Sequence, residues 1–234
     1  MGTIKIKGIV IAEKNYSDFD KIITMLTPNG KIEVSAKGAR RPKSQLMAGS
    51  QFLCFGDYML FKGSNLYTLN SCDPIEVFYN IRIDIDKLEC VSKITKIILD
   101  VTYENQNTYR ILQLYLNTLY VISEMDLDLD FVYSIFRLRL MVLLGFSPIV
   151  DKCVECGKDE LKFFSFKDNG FKCLECSKQD TGAVSIKDGT KDAIRFIVKA
   201  PAKKIFSFDI SEESKRELSL VAKIYTNTKL EKEY

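Results

Sequence analysis

Cys153 and Cys156 stand in the run CVECG, and Cys173 and Cys176 in the run CLECS, with sixteen residues between the two pairs. Two residues between paired cysteines let both thiolates of one tight turn face a common centre. The stretch between the pairs is long enough to form a hairpin that returns the second turn to that centre. The expected chemistry is one zinc ion held by four thiolates in a closed tetrahedral site. Four thiolates leave no position for an activated water, so the expected zinc is structural. Two disulfides, or pairs with no common ligand, are the alternatives.

Composition narrows the chemistry further. The 234 residues include no histidine. That removes Ser-His-Asp and Cys-His nucleophile arrangements, histidine-bound metals and the usual general base near neutral pH. Lys, Asp, Glu, Tyr and Cys fall in no catalytic spacing, so a non-enzymatic role is expected. Cys54, Cys72 and Cys90 occur singly in apolar or mixed runs, which points to a reducing compartment. No apolar run approaches the length of a membrane span, and Ile4-Lys5-Ile6-Lys7 alternates where a signal peptide would be continuously apolar. A cytosolic protein without a membrane partner is expected.

The net charge of +3 is too small to announce nucleic acid, so its distribution carries that argument. Lys31, Lys37, Arg40, Arg41 and Lys43 lie within one short stretch against a single acid, Glu33. Such a cluster on the open face of a barrel would track phosphates, and a solvated loop without a partner is the alternative. Glu124, Asp126, Asp128 and Asp130 lack the spacing and glycine of a calcium loop. Asp128 or Asp130 is expected to supply a helix N-terminal charge instead. Arg137 and Arg139 lie on an apolar helical segment. They suit either capture of an acidic, aromatic-ended peptide, with Phe136, Leu140 and Leu143 as its pocket, or an intramolecular ion pair.

The elements that must position these groups change character along the chain. Up to about Asp73 short strands alternate with turns: around Ile4–Ile11, Ile22–Leu26, Ile32–Val34, Gln51–Phe61 and Leu66–Leu69, with turns at Pro28-Asn29-Gly30 and Gly63-Ser64-Asn65. Five antiparallel strands suit an OB-fold, and an SH3-like barrel would read much the same. Beyond Ile75 the period becomes helical, from Ile85 to Val101, from Ile111 to Ile122, and from Leu129 to Leu144 before Gly145 and Pro148. Thr190 is expected to cap a helix reaching Lys199, and Ser211 one reaching Ile224, with Lys229 to Tyr234 frayed. The fold class is α+β: an OB-fold barrel over 1–78, then a helical domain over 79–234 with a zinc module inserted at about 150–180.

Three segments also resemble one family. Tyr16 through Asp20–Thr27 to Gly30-Lys31, the run Lys37-Gly38-Ala39-Arg40-Arg41-Pro42-Lys43-Ser44, and Leu140 to Pro148 leading into Cys153-Val154-Glu155-Cys156-Gly157 look like the RecO family of bacterial recombination mediators. The likeness spans nearly the whole chain in the right order. It implies a non-enzymatic, cytoplasmic and nucleoid-associated DNA-repair protein that binds single- and double-stranded DNA and anneals complementary strands. It also implies association with RecR and help in loading RecA onto DNA coated by single-stranded DNA-binding protein (SSB). Lys31, Lys37, Arg40, Arg41 and Lys43 then fall on the DNA-binding barrel, and Arg137 and Arg139 on the receptor for the SSB tail. Two departures stand out: Arg137 occupies a place where the family more often has an acid, and Thr226–Tyr234 lacks the usual histidine-containing ending. An RNA-binding or transcription-associated zinc-ribbon protein is the runner-up. A zinc hydrolase would need an open metal position that four cysteines do not leave.

Overall fold

A computed structural model describes residues 2–63 and 66–234. The first five strands are β1 (Thr3–Asn15), β2 (Lys21–Thr27), β3 (Gly30–Ala36), β4 (Phe55–Lys62) and β5 (Tyr67–Glu76). They close into a barrel in the order β1-β2-β3-β5-β4. One long strand serves two neighbours: Thr3–Ile9 pairs with β4 and Ile9–Asn15 with β2, with an irregularity between Val10 and Ala12 that bends it. Gly8 faces Gly56 across this corner, where an added Cβ would lie 2.9 Å from the Leu26 oxygen or 2.6 Å from that of Asp73. Side chains are excluded there because the backbones approach too closely.

Val10, Ile23, Met25, Ile32, Val34, Tyr58, Leu60 and Leu69 fill the barrel. Alternation along β3 turns Ile32 and Val34 inward and Lys31, Glu33 and Ser35 outward. The Tyr58 hydroxyl, buried at the end of this core, reaches the Gly49 and Cys54 carbonyls at 2.9 Å each. The expected strand at Gln51–Phe61 begins only at Phe55. Its apolar start has another cause: Leu53 adopts a left-handed backbone (φ 66°), and Leu53 and Cys54 bond the Val10 main chain where β1 bends. Ser64 and Asn65 of the expected turn lie outside the described residues.

Three helices follow: α1 (Tyr79–Arg82), α2 (Ile85–Val101) and α3 (Tyr109–Glu124). Asp84 caps α2 by accepting from the Asp86 and Lys87 amides. Thr108, just before α3, clamps the turn between β2 and β3. Its hydroxyl donates to the Thr27 carbonyl at 2.6 Å and accepts from the Gly30 amide at 2.9 Å, and its amide bonds the Pro28 carbonyl. The chain accordingly divides into two compact units, Met1–Ser123 and Glu124–Tyr234. Helices α1 to α3 fall in the first of these units.

The second unit contains α4 (Leu129–Leu143), β6 (Phe163–Ser165), β7 (Gly170–Lys172), α5 (Leu174–Ser177), β8 (Val184–Ser185), α6 (Asp188–Lys199) and α7 (Glu212–Leu230). The three short strands form a sheet in the order β7-β6-β8. Asp128 caps α4 through the Phe131 amide, and Asp130 supplies charge to its first turn. The α4 helix is buried on most of its surface, including Phe136 and Leu140. Gly145 then turns the chain at φ 92°. Two helix ends differ from expectation. Thr190 lies inside α6, which already begins at Asp188, and its hydroxyl donates to the Glu217 carboxylate on α7 at 2.6 Å. Ser211 does cap α7, but that helix continues to Leu230.

Candidate nucleic-acid interface and metal centre

The basic run is held in shape by the loop between β1 and β2. Gly38 is left-handed (φ 67°), its amide donates to the Asp20 carboxylate at 2.7 Å, and the Arg40 amide donates to the Phe19 carbonyl at 2.9 Å. The Arg40 guanidinium bonds the Ser17 carbonyl at 2.8 Å, and that of Arg41 stacks over the Phe19 ring at 5.3 Å. Ala39 is buried, which plugs the loop into the barrel end, while Lys37, Arg40, Arg41 and Lys43 are exposed beside Tyr16 (71% exposed) and Phe19. Four of the five predicted cations therefore share one end of the barrel.

Lys31 does not join them. It stands at the other end of β3, roughly 20 Å away at about 3.3 Å per residue. Its ammonium bonds the Leu99 carbonyl at 2.6 Å and lies 5.9 Å from the centre of the Tyr103 ring. Sequence reasoning missed Phe19 and Asp20 as supports of the basic loop. Their signal was position alone, since the turn between β1 and β2 is the neighbour of the loop leaving β3 in any barrel of this order.

The four cysteines come together, with all their sulfurs within 4.8 Å of one another. Each pair is wound the same way: the Gly157 amide closes on the Cys153 carbonyl and the Ser177 amide on the Cys173 carbonyl, both at 3.0 Å. The strands β6 and β7 bring the two turns together, as the pattern predicts. The 3.6 Å between the Cys156 and Cys173 sulfurs is far too long for a disulfide and close to the roughly 3.8 Å edge of a tetrahedron with 2.3 Å metal–sulfur bonds. Burial pushes the Cys153 thiol up, but amides of Cys156, Cys173 and Glu155 outweigh it and bring it down to about 6. The Cys176 amide likewise lowers Cys173. The donor set fits a thiolate-bound metal ion.

Beside the cysteines lies a cation that sequence reasoning did not single out. Lys172 on β7 is 95% buried at its side chain and meets Asp168 at 2.6 Å and Asp180 and Glu155 at 3.3 Å. Burial opposes its charge, yet these carboxylates hold its ammonium well above the ordinary lysine value. The same contacts hold Asp168 below the usual carboxylate range, while Asp180 is lowered first by the Ser165 hydroxyl and then by Lys172. The Phe164 ring meets Phe171 at 5.9 Å and Tyr225 of α7 at 5.5 Å, seating the sheet on that helix.

Arg137 and Arg139 both have acceptors inside their own unit. Arg137, 5% exposed, stacks 4.1 Å from the Tyr133 ring and donates to the Tyr133 hydroxyl at 2.8 Å and the Tyr234 main-chain oxygen at 2.6 Å. Arg139 donates to the Ile197 and Val198 carbonyls at the end of α6, both at 2.9 Å.

With this geometry in hand, family models match almost every residue: Recombination protein O N terminal over residues 1–78 and Recombination protein O C terminal over residues 82–234. The chain belongs to the RecO family. A relative from Acetivibrio thermocellus, named DNA repair protein RecO, is 43% identical over 237 residues, covering 100% of this chain and 94% of the relative. A relative of the same name from a Thermoanaerobacter species is 31% identical over 236 residues, covering 100% and 95%. One from Alkaliphilus metalliredigens is 36% identical over 170 residues, covering 71% and 69%. Among the described residues no helix is long and apolar enough to cross a membrane.

Proposed function

We propose that this RecO-family chain acts without catalysis in DNA repair and recombination. It binds single- and double-stranded DNA through Lys37, Arg40, Arg41 and Lys43, with Lys31 as a separate contact. It brings complementary strands together and, with RecR, helps RecA onto strands coated by SSB in the cytoplasm at the nucleoid. The observation that carries the reading is the basic loop: four exposed cations on a backbone fixed by Asp20 and Phe19, at the end of a closed barrel. Fixing the loop removes part of the ordering cost of binding, and phosphate contact supplies affinity without reading sequence.

One zinc ion held by Cys153, Cys156, Cys173 and Cys176 is part of the same reading, and when bound it supplies structural crosslinking. The chain's own share is to present four thiolates with amides aimed at Cys153 and Cys173. Arg139 and Arg137 are the proposed receptors for the acidic SSB tail. A tail carboxylate would have to displace the α6 carbonyls from Arg139 or the Tyr234 oxygen from Arg137. The reading is tested by mixing complementary strands coated with SSB. Acceleration of their pairing by this chain, with no nucleic-acid turnover, supports it. Absence of acceleration, or preference for matched RNA over DNA, overturns it.

A further inference from the structure

The far end of β3 carries a cavity that the basic loop does not explain. Strand β5 begins at Tyr67, opposite Val34, so it does not run beside the Gly30–Glu33 half of β3. The opening, about 490 Å³, is lined by Lys31, Glu33, Lys62, Tyr67, Tyr103 and Glu104 among others. Its size is that of a small-ligand site.

Tyr103 is the unusual member. Its side chain is among the exposed aromatics, at 65%, yet its backbone is held from both directions. The Tyr103 carbonyl accepts from the Lys31 amide at 3.0 Å, and the Tyr103 amide donates to the Gln106 side chain at 3.0 Å. Gly30 permits this approach: it is left-handed at φ 112°, and a Cβ there would lie 2.3 Å from the Tyr103 oxygen. The Lys31 ammonium, anchored on the Leu99 carbonyl, sits over the ring. An exposed aromatic ring fixed at the mouth of a cavity is a prebuilt stacking platform. The two lysines, Lys31 and Lys62, and the two acids, Glu33 and Glu104, leave the lining without net charge, which suits an uncharged group inside. Exposed Lys62 offers charge for a backbone passing outside.

We propose that this cavity receives one unstacked base of a single nucleic-acid strand, with Tyr103 as its stacking surface and Lys62 and Lys31 on the adjoining phosphates. The proposal rests on the DNA-binding reading and deepens it. A strand running along the outer face of β2 and β3 would meet phosphate contacts at the basic loop and a base contact at the opposite end. Duplex DNA, whose bases are stacked and paired, has nothing to insert. The site thus distinguishes single strands from duplexes, which the basic loop cannot do.

The test compares wild type, Tyr103→Ala and Tyr103→Phe on a thymidine oligomer, an abasic oligomer of equal length and a duplex. Tyr103→Ala should weaken binding of the thymidine oligomer by roughly 5- to 150-fold, the range for one base–aromatic stack. It should leave abasic and duplex affinities unchanged, and Tyr103→Phe should restore the loss. Thermal melting of each variant checks that the fold is intact. Equal affinities of Tyr103→Ala and wild type for the thymidine oligomer, or an equal loss on the abasic strand, would overturn the cavity proposal while leaving DNA binding standing. A wild type that binds none of the three would overturn both.

Discussion

The cations of the basic loop and three cations of the second unit have opposite fates, although both kinds look alike in the sequence. Lys37, Arg40, Arg41 and Lys43 keep their charge in water while their backbone is tied down. Arg137 and Lys172 are buried and Arg139 half-buried, each matched by acceptors of its own unit. A fixed backbone with exposed charge is prepared for an external partner, whereas a buried charge with internal acceptors must release one of them before it can take such a partner. Charge count does not separate these cases. What surrounds each charge does.

The sharpest break of the contrast is at the cysteines. Cys156→Ser should remove metal and, with it, cooperative unfolding of the second unit, a loss of more than about 4 kcal/mol given the large coupling of zinc binding to folding. Metal content and calorimetry check this, and a metal-free variant of normal stability would show that the sulfurs pack without an ion.

A smaller loss is expected at Lys172. Lys172→Met strands three carboxylates, costing about 2–3 kcal/mol, below the range for fully buried pairs because Glu155 and Asp168 remain partly hydrated. The sign of its pH dependence follows from the lowered Asp168 and Asp180. Carboxyls depressed in the folded state stabilise it above the ordinary carboxylate range, and that contribution is lost as pH falls through the folded values. The gap between wild type and Lys172→Met should therefore be full near neutral pH and shrink below about pH 4, where aspartate ordinarily protonates.

Smaller again, Arg139→Glu should cost about 1–2 kcal/mol by setting an acid against the α6 carbonyls. Denaturant unfolding reads that cost, and titration with an SSB tail peptide separates the two roles. Lost peptide binding at unchanged stability would move Arg139 into the outward-facing class with the barrel cations.

The barrel, the helix periods and the four-cysteine cluster were legible because each is written in local pattern: alternation, 3.6-residue spacing and paired CxxC turns. The contents of Gln51–Cys54 were not, since a buried left-handed turn presents the same apolar residues as a strand. Nor was the separation of Lys31 from the basic loop. A strand of alternating side chains carries residues close in sequence to opposite ends of a barrel. Nor were the acceptors of Arg137 legible, since Tyr133 and Tyr234 reach it only through the fold of the whole unit.

The central claim is that the basic loop, and not positive charge in general, carries the contact with DNA. Its most direct test is the salt dependence of single-strand affinity for wild type and for Arg40→Ala/Arg41→Ala/Lys43→Ala. Loss of three phosphate contacts should reduce the slope of log affinity against log salt by about 2, at roughly 0.7 per contact, with equal effect on strands of any sequence. An unchanged slope would contradict the account and move the DNA off the barrel end.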